Sequence, residues 1–453
     1  MASTVHDSAL FRDWFSSAAM REVFSDERLV RAYVEVEVAL AKVQGALGVI
    51  PNDAAAEIVT RCDGGKLDLA KLKSETDLVG YPIVGVVHQL QQQCGEAGRY
   101  LHWGATTQDI MDTATVLQLR RALEIIDCEL GTFARHLAGL AETHRDTVMA
   151  GRTHLQQALP TTFGLKVAVW LSMITRHRER LDQLKPRVLV GQFGGAAGTL
   201  ASLGSRGLEV HDALMAELGL GLSVAPWHSA RDSMAEAVNF LALVTGSLAK
   251  MATDVMLLMQ TEVAEVYEPF MPGRGSSSTM PQKRNPISSE FIFTAARAVR
   301  QDAGLVLDSL AGSDHERSTG PWQLEWIAVP RAFLSTAGAL QHANFLMSGL
   351  IVERASMRRN LDLTGGLIVA EAVMMAVAEK IGRGTAHDHV YAACRAAIEN
   401  RTTLLDELRK VPAITTALDE NALQRLVEPA NYLGSASAMI DRVLAEHRTS
   451  LGR

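Results

Sequence analysis

Several unusually long segments with little proline constrain the fold of this chain more than any other feature of its sequence. They are 113–147, 163–184, 229–267, 286–311 and 321–352, and the first three contain no proline. Helices in globular proteins average about 11–12 residues, so these segments predict helices longer than those of an ordinary domain. We expect the five helices to pack at shallow angles in one central bundle.

The segment 30–41 also has the pattern of a helix. Its apolar residues Val30, Tyr33, Val34, Val38 and Ala41 are spaced so that they share one helical face. The run VEVEV inside it alternates like a strand, but the helical pattern continues past about twelve residues, which favours a helix. Regular strand patterns are nearly absent elsewhere, so the sequence predicts an all-α protein.

Bulk charge argues against a role in binding nucleic acid or a membrane surface. The chain has 44 Lys and Arg against 51 Asp and Glu, which gives a formal net charge of −7. Partners with a strong negative field are usually bound by a basic surface, and this composition does not favour one. An anionic substrate would therefore be held by local cationic groups.

Cysteine spacing and hydropathy favour an intracellular protein without a metal site. The four cysteines are Cys62, Cys94, Cys128 and Cys394; none forms a CxxC pair or fits a zinc template. We interpret them as scattered thiols in a reducing compartment. The N-terminus lacks the pattern of a signal peptide, and the uncharged run 78–95 contains a histidine and four glutamines. We therefore expect a cytoplasmic protein with no membrane span.

Glycine and polar residues interrupt the predicted helices at three places, 102–109, 151–160 and 272–286. The third contains GRGSSSTMPQKRNP (273–286), a loop with three serines, a lysine and an asparagine. Such a loop exposes backbone amides, and together with the helix start that follows it would offer an anion site. A flexible surface linker has the same composition, so composition alone leaves both interpretations open.

This loop resembles the GSSxMPxKxNP signature of the fumarase/aspartase superfamily. Ser277, Ser278, Lys283 and Asn285 fill signature positions, whereas Ser276 stands where the signature has glycine. The resemblance implies that Ser277 is the catalytic base, and that Ser278 and Asn285 bind substrate. A serine hydroxyl is a poor base unless cations and amides stabilise its alkoxide, and Lys283 with the loop amides would do so.

The first cluster, HWGATTQD (102–109), resembles the HxGATSxD region of the same superfamily. That region supplies hydroxyl groups to substrate carboxylates, which implies that Thr106, Thr107 and Gln108 are substrate-binding donors. A threonine before a helix is also an ordinary N-cap, because its oxygen accepts backbone N–H groups. Both interpretations can hold at once.

The second cluster, GRTHLQQALP (151–160), resembles the superfamily segment G-x-T-H-x-Q-x-A-x-P. The resemblance implies that His154 is catalytic and that Arg152, Thr153 and Gln156 bind substrate. It further implies that Glu290 pairs with His154, since a carboxylate on one ring nitrogen sets the tautomer and lets the other nitrogen act. The alternative is that His154 is a core histidine whose hydrogen bonds are made within the fold, which is the commoner case for a lone histidine.

The segment DHERSTGPWQLEW (314–326) points to one branch of the superfamily. It resembles the form found in 3-carboxy-cis,cis-muconate cycloisomerases, in which Arg317 would bind substrate. Trp322 and Trp326 replace polar groups expected near a nucleotide phosphate in adenylosuccinate lyases. Ordinary bundle core is about as good an interpretation of these two indoles as pocket lining.

The resemblance implies a reaction that closes 3-carboxy-cis,cis-muconate to 4-carboxymuconolactone in aromatic catabolism. Run backwards, this is an elimination β to a carboxylate, so the superfamily's chemistry needs no added cofactor. Cleavage of adenylosuccinate or a related amino-linked succinate is the alternative activity. A non-catalytic helical assembly protein is a third hypothesis, which the retained site residues disfavour.

The resemblance also implies the organisation of the subunit. We expect an N-terminal helical domain over 1–111, a central helical bundle over 112–355 and a C-terminal helical domain over 356–453. Apolar positions on several faces of the long helices favour a homotetramer, with active sites shared between subunits and a small tricarboxylate as substrate. No compact His, Cys and Asp cluster has ligand spacing, so we expect no metal and no organic cofactor.

Overall fold

The structure, a computed structural model, describes residues 4–276, 279–280 and 282–451. Within these residues the chain folds into 19 α-helices, five short 3₁₀ helices and two sheets of two strands each. This composition confirms the predicted all-α fold.

The α-helices are numbered α1 to α19 in chain order: Arg12–Phe15, Ala18–Val23, Asp26–Ala46, Asn52–Arg61, Leu69–Val79, Pro82–Cys94, Thr107–Thr143, Phe163–Val188, Gly207–Leu218, Asp232–Leu258, Ile287–Gly312, Trp322–Ser348, Arg354–Asp362, Ala370–Ile381, Arg383–Asn400, Leu404–Leu408, Pro412–Ala417, Glu420–Val427 and Ala436–Leu451. The 3₁₀ helices are Gly64–Lys66, Gly95–Tyr100, Ala201–Arg206, Leu367–Val369 and Pro429–Asn431. The strands β1 to β4 are Val148–Thr153, Gln156–Thr162, Val266–Tyr267 and Ile351–Val352.

The five long helices that the sequence predicts are α7, α8, α10, α11 and α12. Helix α7 has 37 residues, and the other four have 26 or 27 each. Two boundaries differ from the prediction by more than four residues. Helix α7 begins at Thr107 rather than at 113, and α10 ends at Leu258 rather than at 267, where a turn leads into β3. The run VEVEV lies inside α3, which confirms the helical interpretation.

The first of two compact units comprises residues 4–130, 177–248 and 292–341. Its core contains apolar side chains at helical spacing, such as Leu119, Leu123 and Ile126 of α7, all of which are fully buried. Phe333 of α12 is also fully buried and packs against Phe24 with 5.8 Å between ring centroids. Burial of this kind contributes about 1.5–3 kcal/mol per large apolar side chain to the stability of the folded state.

The second unit comprises residues 131–176, 249–291 and 342–451, apart from the undescribed positions. It holds both small sheets: β1 pairs with β2 and β3 with β4, each antiparallel. Its C-terminal helices have a core of their own, in which Val373, Val377, Leu404 and Leu408 are fully buried. The predicted division into three domains at 111 and 355 stays a prediction.

One helix of the described residues, α10, is long and apolar enough to cross a membrane; a second would qualify if α13 and the bent segment after it, at 82° to each other, formed one span. Core helices of ordinary folds pass the same test of length and composition. Val238, Leu241 and Val244 of α10 are fully buried within the first unit. We therefore assign α10 to the protein core.

Candidate active site

The start of α7 is fixed by one buried carboxylate. Asp109 accepts hydrogen bonds from the backbone N–H of Thr106 (2.9 Å), Gly194 (2.8 Å) and Gly195 (2.9 Å). Its Oδ1 also lies 2.7 Å from Nε2 of His228. Because an acid in the first turn reaches back to the residue before the helix, the arrangement is half of a capping box. This contact explains why α7 begins six residues earlier than predicted.

Arg317 binds both threonines at this helix start. One guanidinium nitrogen donates to Oγ1 of Thr106 over 2.7 Å, and another donates to Oγ1 of Thr107 over 3.0 Å. Each hydroxyl oxygen is thereby an acceptor, so its own hydrogen remains available to a third group. Arg317 and Thr107 are partly exposed. The sequence-predicted donors therefore converge with a cation at a helix N-terminus, which is a favourable site for a carboxylate.

Gln108, a predicted substrate donor, is engaged inside the first unit. It is buried, and its side-chain nitrogen donates to Oδ2 of Asp112 (3.1 Å) and to the carbonyl oxygen of His228 (2.9 Å). Both amide hydrogens are thus used inside the first unit and none is left to donate to a substrate. The reason is helical geometry, since Gln108 and Asp112 are four residues apart and share the face that points inward.

A buried cluster of charges supports the same helix. Arg231 donates to both oxygens of Asp112 (2.7 and 2.9 Å) and both oxygens of Glu325 (2.9 and 2.6 Å). Burial alone would lower the pKa of Arg231, but the two carboxylates raise it. Trp322 adds a hydrogen bond from Nε1 to Oδ1 of Asp112 (3.0 Å). The cluster holds α7 and α12 in a fixed relation because each carboxylate accepts from the same guanidinium.

Both interpretations of the two indoles hold in part. Trp322 is buried and packs edge-on against Trp326, with 4.9 Å between ring centroids, while Trp326 is partly exposed. Both rings also contact Tyr81 and line a cavity of about 300 Å³ within the first unit. They are therefore core residues on one side and cavity lining on the other.

The sequence interpretation missed His102, the first residue of the HWGATTQD segment. Its Nδ1 lies 2.6 Å from Oε1 of Glu37, which is fully buried in α3. Burial alone would lower the pKa of His102, but the Glu37 carboxylate outweighs burial and the pKa is raised. A carboxylate on Nδ1 fixes the ring and leaves Nε2 for another partner. The signal was present in the motif, but the partner lies 65 residues upstream.

In the second unit, the GRTHLQQALP segment forms a β-hairpin rather than a loop between helices. Strands β1 and β2 are joined by a two-residue turn, His154–Leu155, and Thr153 pairs with Gln156 across it. His154 and Leu155 have φ values of +49° and +64°, which non-glycine residues rarely adopt. The turn is strained, and it presents Thr153, His154 and Gln156 to solvent.

Arg152 at the foot of this hairpin is engaged with a buried carboxylate. It donates to Oε2 of Glu265 over 2.9 Å and to Oε1 over 2.7 Å, and Glu265 is fully buried. Asn360 adds a third hydrogen bond to Oε1 (2.8 Å). Because the charge of Arg152 is compensated here, the contact positions the hairpin, and a substrate would meet only the remaining donors of Arg152.

The signature loop closes on itself at its base. The backbone N–H of Asn285 donates to the carbonyl oxygen of Gly275 (3.0 Å), and Ser276 pairs with Arg284 in an antiparallel bridge. Lys283 is exposed and lines a cavity of about 370 Å³ in the second unit. The predicted base Ser277 and its neighbour Ser278 lie outside the described residues.

The helix after this loop does not offer the free anion site that the sequence suggested. Glu268 accepts hydrogen bonds from the backbone N–H of Ser288 (3.1 Å) and Ser289 (2.8 Å), which are the second and third residues of α11. The N-terminus of α11 is therefore occupied by a carboxylate of the chain itself. Any anion at the loop would depend on Lys283 and on the loop's own amides.

The structure brings together some predicted residues and not others. Thr106, Thr107 and Arg317 form one cluster in the first unit. Gln108 also lies in the first unit. The other predicted residues with described positions lie in the second unit: Arg152, Thr153, His154, Gln156, Lys283, Asn285 and Glu290. Within the described part of the chain, no hydrogen bond or ion pair joins His154 to Glu290, so their pairing stays a prediction. The part of the chain that the structure describes contains no group of three or more His, Cys, Asp and Glu side chains suited to a metal ion.

Comparison with known proteins places this geometry in a family context. Residues 11–300 match the lyase family, and residues 366–443 match the adenylosuccinate lyase C-terminus. The chain is 49% identical to trans-aconitate decarboxylase 1 of Mycosarcoma maydis, over 96% of this chain and 88% of that protein. It is 47% identical to a 3-carboxy-cis,cis-muconate cycloisomerase of Pseudomonas aeruginosa, over 98% of each chain.

Among solved structures, the chain resembles the 3-carboxy-cis,cis-muconate lactonizing enzyme of Pseudomonas putida. The TM-score is 0.93 and the identity 41%, over 98% of this chain and 100% of that one. The likeness therefore extends over nearly the whole chain.

Proposed function

Because the chain belongs to the lyase family of the fumarase/aspartase superfamily, we propose that this lyase-class enzyme lactonises 3-carboxy-cis,cis-muconate. The observation that carries the proposal is the cluster of Arg317, Thr106 and Thr107 at the start of α7. It combines a cation, two hydroxyl hydrogens and a helix N-terminus, which suits the carboxylates of a tricarboxylic substrate. A relative of 47% identity that is named a 3-carboxy-cis,cis-muconate cycloisomerase supports the choice of substrate.

In the proposed reaction, a carboxylate oxygen of the substrate forms a bond to a carbon of the substrate's own chain. A proton is added to the carbon next to another carboxylate, so a trianionic substrate and one proton give a lactone with two carboxylates, whose neutral acid is an isomer of the substrate's neutral acid. Negative charge gathers on that carboxylate in an enolate-like intermediate before the proton arrives. Preorganised cations and hydroxyl donors stabilise such charge, and Arg317, Thr106 and Thr107 would do so.

We assign proton delivery to Ser277, with Lys283 and the loop amides stabilising its alkoxide and Asn285 and Ser278 binding substrate. His154, on its strained and exposed turn, would act with Glu290. A homotetramer would bring these groups together, since the family's three motifs would then meet at sites built from three chains. The exposed positions of His154, Lys283 and Glu290 suit contact with another copy of the chain.

The Ser277 assignment predicts a clear difference between neighbouring variants. Ser277→Ala should lower kcat by roughly 10²–10⁴-fold, the usual range for a positioned acid–base group. Ser278→Ala is the matched control in the same loop: as a binding residue it should raise KM but retain most of kcat. Loss of turnover in Ser278→Ala alone would place the base at position 278. Full activity in both variants would transfer the role to His154 and Glu290.

A second candidate reaction is the decarboxylation of trans-aconitate. The relative with this activity is 49% identical over 96% of this chain. trans-Aconitate is also an unsaturated tricarboxylate, so the cluster around Arg317 suits it for the same reason. Cleavage of an amino-linked succinate stays the third possibility, with the match of residues 366–443 to the adenylosuccinate lyase C-terminus in its favour.

Initial rates on three substrates test the proposal. The purified full-length chain is assayed by absorbance with 3-carboxy-cis,cis-muconate, trans-aconitate and adenylosuccinate. We expect kcat/KM for the muconate to exceed the others by more than about tenfold, equal to about 1.4 kcal/mol of transition-state binding. Faster conversion of trans-aconitate would favour the second candidate, and no turnover of any substrate would contradict all three.

A further inference from the structure

Two of the four cysteines lie in contact, although they are far apart in sequence. Sγ of Cys62 lies 3.3 Å from Sγ of Cys94 in the first unit. Cys62 directly follows α4, and Cys94 is the last residue of α6. Cys94 is fully buried and Cys62 is half-buried, so one thiol of the pair is open to small solutes. Spacing along the sequence gave no sign of this pair.

The backbone beside both cysteines is held in register. The side-chain oxygen of Gln93 accepts from the backbone N–H of Asp63 over 2.9 Å, and its nitrogen donates to the Asp63 carbonyl oxygen over 3.2 Å. Two hydrogen bonds therefore clamp the residue after Cys62 to the residue before Cys94. With both neighbours fixed, the sulfur atoms are held together by the fold and not by chance side-chain rotation.

The same clamp occurs a second time, one helical turn earlier in α6. Gln89 accepts from the backbone N–H of Asp68 over 2.8 Å and donates to the Asp68 carbonyl oxygen over 3.2 Å. The loop between the two clamps is thus held against one face of α6 at both of its ends. A covalent bond between Cys62 and Cys94 would add a link beside the first clamp.

We infer that Cys62 and Cys94 are a modification site, at which a peroxide converts the two thiols reversibly into a disulfide. A disulfide has a sulfur–sulfur length of about 2.05 Å, so the two atoms must approach by roughly 1.2 Å. Rotation of the two side chains is the movement that would bring them together. Because oxidation needs only a small solute, the half-buried Cys62 is the thiol that reacts first.

The chemistry balances with hydrogen peroxide as the oxidant. The Cys62 thiolate attacks one peroxide oxygen, which gives a sulfenic acid and releases one water molecule after proton uptake. The Cys94 sulfur then attacks the Cys62 sulfur and displaces its oxygen as a second water molecule. In sum, two thiols and one peroxide give one disulfide and two waters. A thiol reductant restores both thiols by exchange.

Burial sets the pace of this reaction. It raises the pKa of the Cys62 thiol and the pKa of the Cys94 thiol. The thiolate is the reactive form, so little of it is present near neutral pH. Cross-linking should therefore be slow at neutral pH and faster at higher pH. Once formed, the bond should stabilise the fold, because it restricts the unfolded chain.

Peptide mapping of the full-length protein tests this inference. The reduced protein is treated with hydrogen peroxide, denatured in an alkylating agent and digested without reductant. We expect a linked pair of peptides that contains Cys62 and Cys94, lighter by two hydrogens than the separate peptides and lost after treatment with dithiothreitol. The midpoint of thermal unfolding should rise in the oxidised protein and return after reduction.

Serine variants with a matched control, and the outcomes that would overturn the inference, complete the test. Cys62→Ser and Cys94→Ser should each lose both the linked peptides and the thermal shift, while Cys128→Ser keeps them. Recovery of Cys62 and Cys94 as alkylated thiols, or of Cys62 as sulfinic acid, after peroxide treatment would overturn the inference. A link to Cys128 or Cys394 would overturn it equally. If a serine variant fails to fold, the peptide map of the unaltered protein decides by itself.

Discussion

Replacing Arg317 by methionine tests the proposed carboxylate site most sharply. A guanidinium has five N–H donors, and Arg317 uses one to hold Thr106 and one to hold Thr107. Three remain for a substrate. A hydrogen bond from a charged donor contributes about 1.5–3 kcal/mol, so losing one such bond to the transition state predicts a fall in kcat/KM of roughly 10- to 150-fold.

The assay compares kcat/KM of the variant and the unaltered enzyme on the best substrate of the panel described above. Arg187→Met is the matched control, because Arg187 forms an exposed ion pair with Glu236 and should change activity little. Urea unfolding of Arg317→Met should differ from the unaltered enzyme by about 3 kcal/mol, the lower end of the range for a charged donor applied to the two hydrogen bonds to Thr106 and Thr107. Activity within about threefold of the unaltered enzyme would refute the assignment of Arg317 to substrate binding.

Three further predictions concern stability and assembly. The pKa of His102 is raised in the folded protein, so its ion pair with Glu37 stabilises the fold fully below about pH 6.5, the pKa of His102 in the unfolded chain, and less as pH rises through the pKa in the folded protein. Glu37→Gln should remove this pH dependence of the free energy of unfolding in urea titrations. Arg231→Met should lower the free energy of unfolding by about 3–5 kcal/mol, because it leaves two buried carboxylates unpaired. Light scattering at micromolar concentration should give a homotetramer, and a fully active monomer would contradict shared sites.

Hydrophobic spacing and motif chemistry predicted much of this molecule. Most of the long segments form long helices because no proline interrupts the backbone hydrogen-bond ladder, although α8 contains Pro186 and α12 contains Pro330. The meeting of Arg317 with Thr106 and Thr107, more than 200 residues away, could be anticipated only from the motifs, since no local pattern joins them.

Other features depended on tertiary contacts that spacing does not reveal. The capping contact of Asp109 moved the start of α7, and the pairing of Thr153 with Gln156 turned a predicted loop into a hairpin. Gln108 fits the motif for a substrate donor, but its inward position commits both its amide hydrogens to the core. The partners of His102 and Cys62 lie on separate helices, so the sequence gave no warning of either contact.

Product analysis in deuterated water tests the central claim most directly. The enzyme is incubated with 3-carboxy-cis,cis-muconate in D₂O and the product is followed by proton NMR. The account predicts 4-carboxymuconolactone that carries one deuterium, at the carbon next to a carboxylate, with no loss of carbon dioxide. Unchanged substrate, or a product that has lost a carboxylate, would contradict it.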